Sequence, residues 1–164
     1  MKNVAQTGLR FHQIFAYGLQ GMADVLKHNQ ELAVALKSSF NSMLKEFETS
    51  AHIFYAVGKG LGFTADQQAA LMKRSKRAGR DVVKDQLDMA NMAIQMGQKF
   101  QVSSKQIGKS FGQMAEDADH FGHLTIEQMG AIATFANKLG IEIKELGSII
   151  DKFLNFDDAA KGAS

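Results

Sequence analysis

Apolar side chains recur at spacings of three and four along the first third of the chain, a helical period. From Phe11 to Val57 the only strong breakers are Gly18 and Gly21. One seam reads Phe11, Phe15, Gly18, Met22, Val25, Asn29, Leu32, Leu36, Phe40, Met43, Phe47, Ser50, Phe54 and Val57. It is heptad-like with one shift, the step of four from Leu36 to Phe40. A helix over the whole stretch would be ~80 Å long, longer than the core of a compact chain of this size. Two arrangements satisfy the seam. In one, the arm is a single helix that associates with copies of itself, a trimer being favoured, and Asn29 is the buried polar residue that sets register. In the other, two helices meet between Lys27 and Gln30, and Asn29 lies in the loop.

Gly58-Lys59-Gly60-Leu61-Gly62 ends the arm, since glycine past a helix end takes the left-handed conformation cheaply. One phrase is then written four times: Phe63-Thr64-Ala65-Asp66-Gln67, Val102-Ser103-Ser104-Lys105-Gln106-Ile107, Leu124-Thr125-Ile126-Glu127-Gln128-Met129 and Ile141-Glu142-Ile143-Lys144-Glu145-Leu146. In the first three, a Thr or Ser oxygen can accept from the backbone N–H three residues on while the Gln side chain reaches back. Apolar residues flank the last three as a hydrophobic staple. The phrases and the stop signals Gly79, Gly122 and Gly140 predict helices over Thr64–Ala78, Asp81–Phe100, Ser103–Phe121, Thr125–Leu139 and Glu142–Phe153. No window shows sustained strand alternation. The expected fold is all-α: a long N-terminal helical arm over residues 1–57, then a domain of about five short helices over 61–155. From Phe156 to Ser164 the chain reads as the cut start of a further helix.

Composition changes this picture little. The 164 residues are 45% hydrophobic and 22% charged, enough for one globular domain or a domain with an arm. Proline is absent, leaving helices uninterrupted, and cysteine is absent, excluding disulfides and thiolate metal sites. The net charge of +2 is too small to imply a nucleic-acid partner by itself. No stretch approaches the ~20 apolar residues of a membrane span.

Candidate chemistry is sparse. Lys73, Arg74, Lys76, Arg77, Arg80 and Lys84 form the one dense charge run, and on a continuous helix 73, 76, 77, 80 and 84 share a face. Such a stripe serves as a solvated helix end favoured by the dipole, a weak nucleic-acid contact (Lys73, Lys76, Arg77, Arg80 and Lys84) or a contact with an acidic protein surface. Glu116, Asp117, Asp119, His120 and His123 come nearest to a metal cluster, but they lack a metalloprotease pattern and read more simply as helix-end residues, so no metal or cofactor is expected. The glycine string lacks the context of a phosphate loop, serines sit at caps without a nucleophile elbow, and the carboxylates form no convergent pair. No enzyme activity and no small-molecule substrate are expected. Met72, Met89, Met92, Met96, Met114 and Met129, with Phe100, Phe111, Phe121 and Phe135, fall at helical spacing and read as core filling.

Taken in order, several of these phrases resemble tail tape measure proteins of large, contractile-tailed bacteriophages. Leu61-Gly62-Phe63-Thr64-Ala65-Asp66-Gln67-Gln68-Ala69-Ala70-Leu71 carries the likeness, as does Phe100-Gln101-Val102-Ser103-Ser104-Lys105-Gln106-Ile107 with the later Ala118-Asp119-His120-Phe121-Gly122. The fullest match runs from Ala133-Thr134-Phe135-Ala136-Asn137-Lys138-Leu139-Gly140 through Ile141-Glu142-Ile143-Lys144-Glu145-Leu146 to Ile149-Ile150-Asp151-Lys152-Phe153-Leu154-Asn155-Phe156-Asp157-Asp158-Ala159-Ala160. The resemblance implies a segment of a virion structural protein that lines the tail tube, is assembled in the host cytoplasm, templates tail length and contacts tail tube or assembly-chaperone proteins. The membrane-spanning stretch carried by many such proteins is missing here.

Overall fold

The computed structural model describes residues 19–149, and every regular element among them is helical. Phe11 and Phe15 of the seam, the end of the helix expected to reach Phe153, and the start expected after Phe156 lie outside the described residues. In chain order the elements are α1 (Leu19–Leu36), a 3₁₀ turn (Lys37–Met43), α2 (Leu44–Leu61), α3 (Ala65–Arg77), α4 (Val82–Phe100), α5 (Ser104–Glu116), the short α6 (Ala118–Phe121) and α7 (Ile126–Leu139). A further helix, α8, begins at 143.

The arm is helical in its described part, but it is neither a single rod nor broken near His28. It turns at Lys37, a non-glycine residue held at φ 53°, and again bends at Ser50 (φ −136°) inside α2. A left-handed lysine costs roughly 1 kcal/mol, and burial offsets it. The turn brings Leu32, Leu36, Met43 and Phe54, all fully buried, into one cluster with Ala69, Met72 and Val82, and Phe40 and Phe47 pack against it. The Phe40, Phe47 and Phe54 rings follow one another at 5.0 and 5.1 Å between centroids. The inward face of the seam is therefore as the spacing predicts, but its partner for these residues is the same chain. Asn29 also fixes register internally: its Nδ2 donates to Val25 O (2.8 Å) and, across to α2 beside the bend, to Ala51 O (3.0 Å).

The larger core gathers Val57, Leu61, Leu71, Met89, Ile107, Phe111, Met114, Phe121, Met129 and Ile143. Helices α4, α5 and α7 each touch the other two, α2 lies over α4 and α5, and α3 bridges this group to α1. Close approach is made at glycines. At Gly108 of α5, a Cβ would lie 2.6 Å from Leu61 Cβ and 2.9 Å from Leu61 Cα, so α5 and the end of α2 meet backbone to backbone.

Helix starts divide sharply. Thr64 and Thr125 form complete reciprocal boxes with Gln67 and Gln128. Ser103 makes no side-chain cap. Its ψ is 128° against 161° and 164° at the two threonines. The tight α4–α5 connection, in which Val102 N bonds back to Gly97 O, leaves its hydroxyl misaimed. The helix expected over Ser103–Phe121 is also interrupted, at Asp117 (φ −109°, ψ 71°), whose carboxylate caps α6 by accepting from His120 N. Thr64→Ala and Thr125→Ala should each lower the unfolding free energy by about 1 kcal/mol, whereas Ser103→Ala should change it little. Urea titrations of the three variants check the order.

Candidate functional site

The basic run does not form one stripe. Gly79 takes φ 67° and ends α3, and Asp81 starts α4 afresh by accepting from Lys84 N at 2.9 Å. The cations are held by different partners. Lys76 reaches Glu46 of α2 (3.5 Å), Arg80 pairs with the buried Asp85 (3.0 Å), and Lys84 pairs with Asp88 one turn on (2.7 Å), a contact that raises the Lys84 ammonium above its ordinary value. Lys73 Nζ donates to Ala35 O of α1 (3.4 Å), and Arg74 Nη1 donates to Phe121 O at the end of α6 (3.1 Å). Arg77 is exposed.

Part of the run instead edges a cleft of about 690 Å³ bounded by α3, the start of α4, and the α5–α6–α7 connection. Lys73, Arg74, Arg77 and Arg80 stand on one side. Met114, Leu124, Ile126 and Met129 form an aliphatic wall. Asp66 and Asp85 are the carboxylates on the lining, and Asp85 is already held by Arg80. Burial lowers the Arg74 guanidinium from its ordinary value, and the nearby charge of Arg80 lowers it further, with Asp85 acting the other way. This arrangement can hold an anion beside an apolar group.

A second polar feature joins α1 to the body. His28 Nε2 meets Gln68 Oε1 at 2.9 Å, and Gln68 Nε2 donates to Phe54 O (2.8 Å) and to Gln86 Oε1 (3.0 Å). Because Gln68 spends its amide nitrogen on those two acceptors, its oxygen must accept, which places a proton on His28 Nε2. The ring stands edge-on to Tyr55 at 5.6 Å. Burial pushes the imidazole below its ordinary value, and Lys59 adds to this, against the opposing effects of the Gln68 bond and Glu31.

Of the acidic and histidine residues near α6, Asp117 and His120 pair while Glu116 and His123 turn to other neighbours. His120 Nδ1 lies 2.7 Å from Asp117 Oδ1, Glu116 Oε2 accepts from Gln67 Nε2 at 3.4 Å, and His123 faces the cleft. Among the described residues no group of three or more such side chains could hold a metal ion, and no helix is long and apolar enough to cross a membrane. Of the residues read as core, Met72, Met89, Met114, Met129, Phe111 and Phe121 are buried. Phe135 is not. Met129, Ala133 and Ala136 take the inner face of α7, which leaves Phe135 69% exposed, and Phe100 sits at the surface with Lys99 over its ring at 5.4 Å. Sequence reasoning missed the glutamine layer. The available signal was Gln68 on the spacing of Leu71, Met72 and Ser75, and Gln86 on that of Val82 and Met89, polar residues at positions where the helical period demands burial.

Comparison with protein-family models, with curated proteins and with solved structures returned no match.

Proposed function

We propose that this chain is a structural segment of a phage tail tape measure protein, acting in tail length determination and tail assembly through self-association and contact with tail tube or assembly-chaperone proteins. Of the phrases that carry the resemblance, one begins α3 at Thr64 and another runs along α7 to its end at Gly140. The observation that bears most on self-association is the outer face of α1. Leu26 and Val34 are 64% and 76% exposed there, while Leu32 and Leu36 already fill the inner face. Large apolar residues left exposed on the outside of a helix are material for an interaction surface.

Sedimentation of the full chain at micromolar concentration is expected to report an oligomer, a trimer being favoured, and Leu26→Asp with Val34→Asp should return it to monomer. A wild-type monomer would overturn the self-association. Tail length decides the larger reading: particles whose tail protein lacks residues 61–149 should have shorter tails by electron microscopy, and an unchanged length would reject it. The other reading, a basic helical module that binds nucleic acid, draws on the basic run, of which Lys76, Arg80 and Lys84 already face carboxylates.

A further inference from the structure

Lys73 and Arg74 are bonded but not neutralised. Each donates to a main-chain carbonyl, Ala35 O and Phe121 O respectively, which occupies a donor and cancels no charge. Arg77 stands one helical turn beyond Lys73 on the same cleft edge. Three cations thus line one side of the cleft over about one turn of α3, facing the aliphatic wall of Leu124 and Ile126. A half-buried guanidinium beside a second guanidinium is an arrangement that an incoming anion stabilises.

We propose that this cleft binds an acidic peptide segment, with carboxylates about one helical turn apart paired to Lys73, Arg74 and Arg77 and an aliphatic side chain seated against Leu124 and Ile126. The spread of the cations selects against a lone phosphate, which would meet them singly and leave the wall unused. The lining selects against single-stranded nucleic acid, because binding of that kind relies on aromatic rings for base stacking, and the lining offers no phenylalanine or tyrosine, with His123 its one ring. Carboxylates suit the two arginines, whose planar forks accept them in pairs of parallel hydrogen bonds.

The test uses the full chain and a fluorescein-labelled amphipathic helical peptide with Leu on one face and Glu on the other, followed by fluorescence anisotropy. Saturable binding is expected, weakened about tenfold by Arg77→Glu, by Gln in place of the peptide's Glu, and by Ser in place of its Leu. Arg77 is exposed, so the melting temperature of Arg77→Glu should match that of the parent, which separates loss of the site from loss of the fold. Absence of saturable binding would overturn the proposal. So would equal affinity for an oligothymidine of similar length, affinity indifferent to Arg77→Glu, or affinity indifferent to removal of the peptide's Leu.

Discussion

Gly108→Ala is expected to lower the unfolding free energy by ~3 kcal/mol. The added methyl would lie 2.6 Å from Leu61 Cβ and 2.9 Å from Leu61 Cα, and neither atom can rotate away. Relief requires α5 to move off α2, which opens the packing of the fully buried Ile107 and Phe111. Gly60, two positions from the left-handed Gly62 that ends α2, provides the control. Nothing lies within 4 Å of a Cβ built there, so Gly60→Ala should gain about 0.5 kcal/mol from helix propensity. The two glycines are close in sequence pattern and opposite in predicted sign. Urea midpoints at an unchanged m value measure both; a neutral Gly108→Ala would mean that the α2–α5 contact is looser than described.

Gln68→Leu should cost ~3 kcal/mol, because it strands several buried partners at once and each unpaired group costs roughly 1–3 kcal/mol. The carbonyl of Phe54, Gln86 Oε1 and His28 Nε2 all lose their hydrogen bond to a residue that is itself fully buried. The same layer sets an acid dependence. His28 is held below its ordinary value of 6.5 in the folded chain, so the unfolded chain binds the proton more readily. Stability then rises with pH across the interval between the two values. His28's contribution is intact above about 6.5 and declines as pH falls from there through the lowered folded value. Protonation would place the new charge near Lys27 and Lys59, with Asp24 and Glu31 opposing and the Tyr55 ring edge-on to the imidazole. Urea midpoints measured from pH 7.5 to pH 5 should fall in the parent, and the part of the slope that belongs to His28 should be missing in His28→Leu. An identical slope in that variant would remove His28 as the source.

The helix starts at Thr64 and Thr125 were legible because a capping box is local: cap, backbone donor and glutamine lie within four consecutive residues, so no distant contact can hide it. Ser103 has the same spelling and fails, since the geometry of the α4–α5 connection is settled by Gly97 and Val102 and not by the box itself. The basic run shows the same division. Its composition was plain, but packing holds Lys73, Lys76 and Arg74 of α3 to α1, α2 and α6, the left-handed Gly79 sets Arg80 and Lys84 apart from them, and only three members line the cleft with Arg80. Gln68 carries no local sign of its role in the core. Its neighbours from α1, α2 and α4 are remote in sequence, so its burial could be inferred only from the helical period.

Sequence by itself determined that this protein is all-α, where most of its helices begin, and which face of the arm is apolar, because capping and a 3.6-residue period are properties of consecutive residues. Tertiary structure decided where that apolar face is buried. Lys37 adopts a conformation that no local rule favours, and the burial of Leu32, Leu36, Met43 and Phe54 together outweighs its cost. The cleft was decided in the same way: Lys73, Arg74 and Arg77 meet Leu124 and Ile126 only because α3 and the start of α7 are packed around one core, and long-range packing, unlike a cap, leaves no mark on neighbouring positions of the chain.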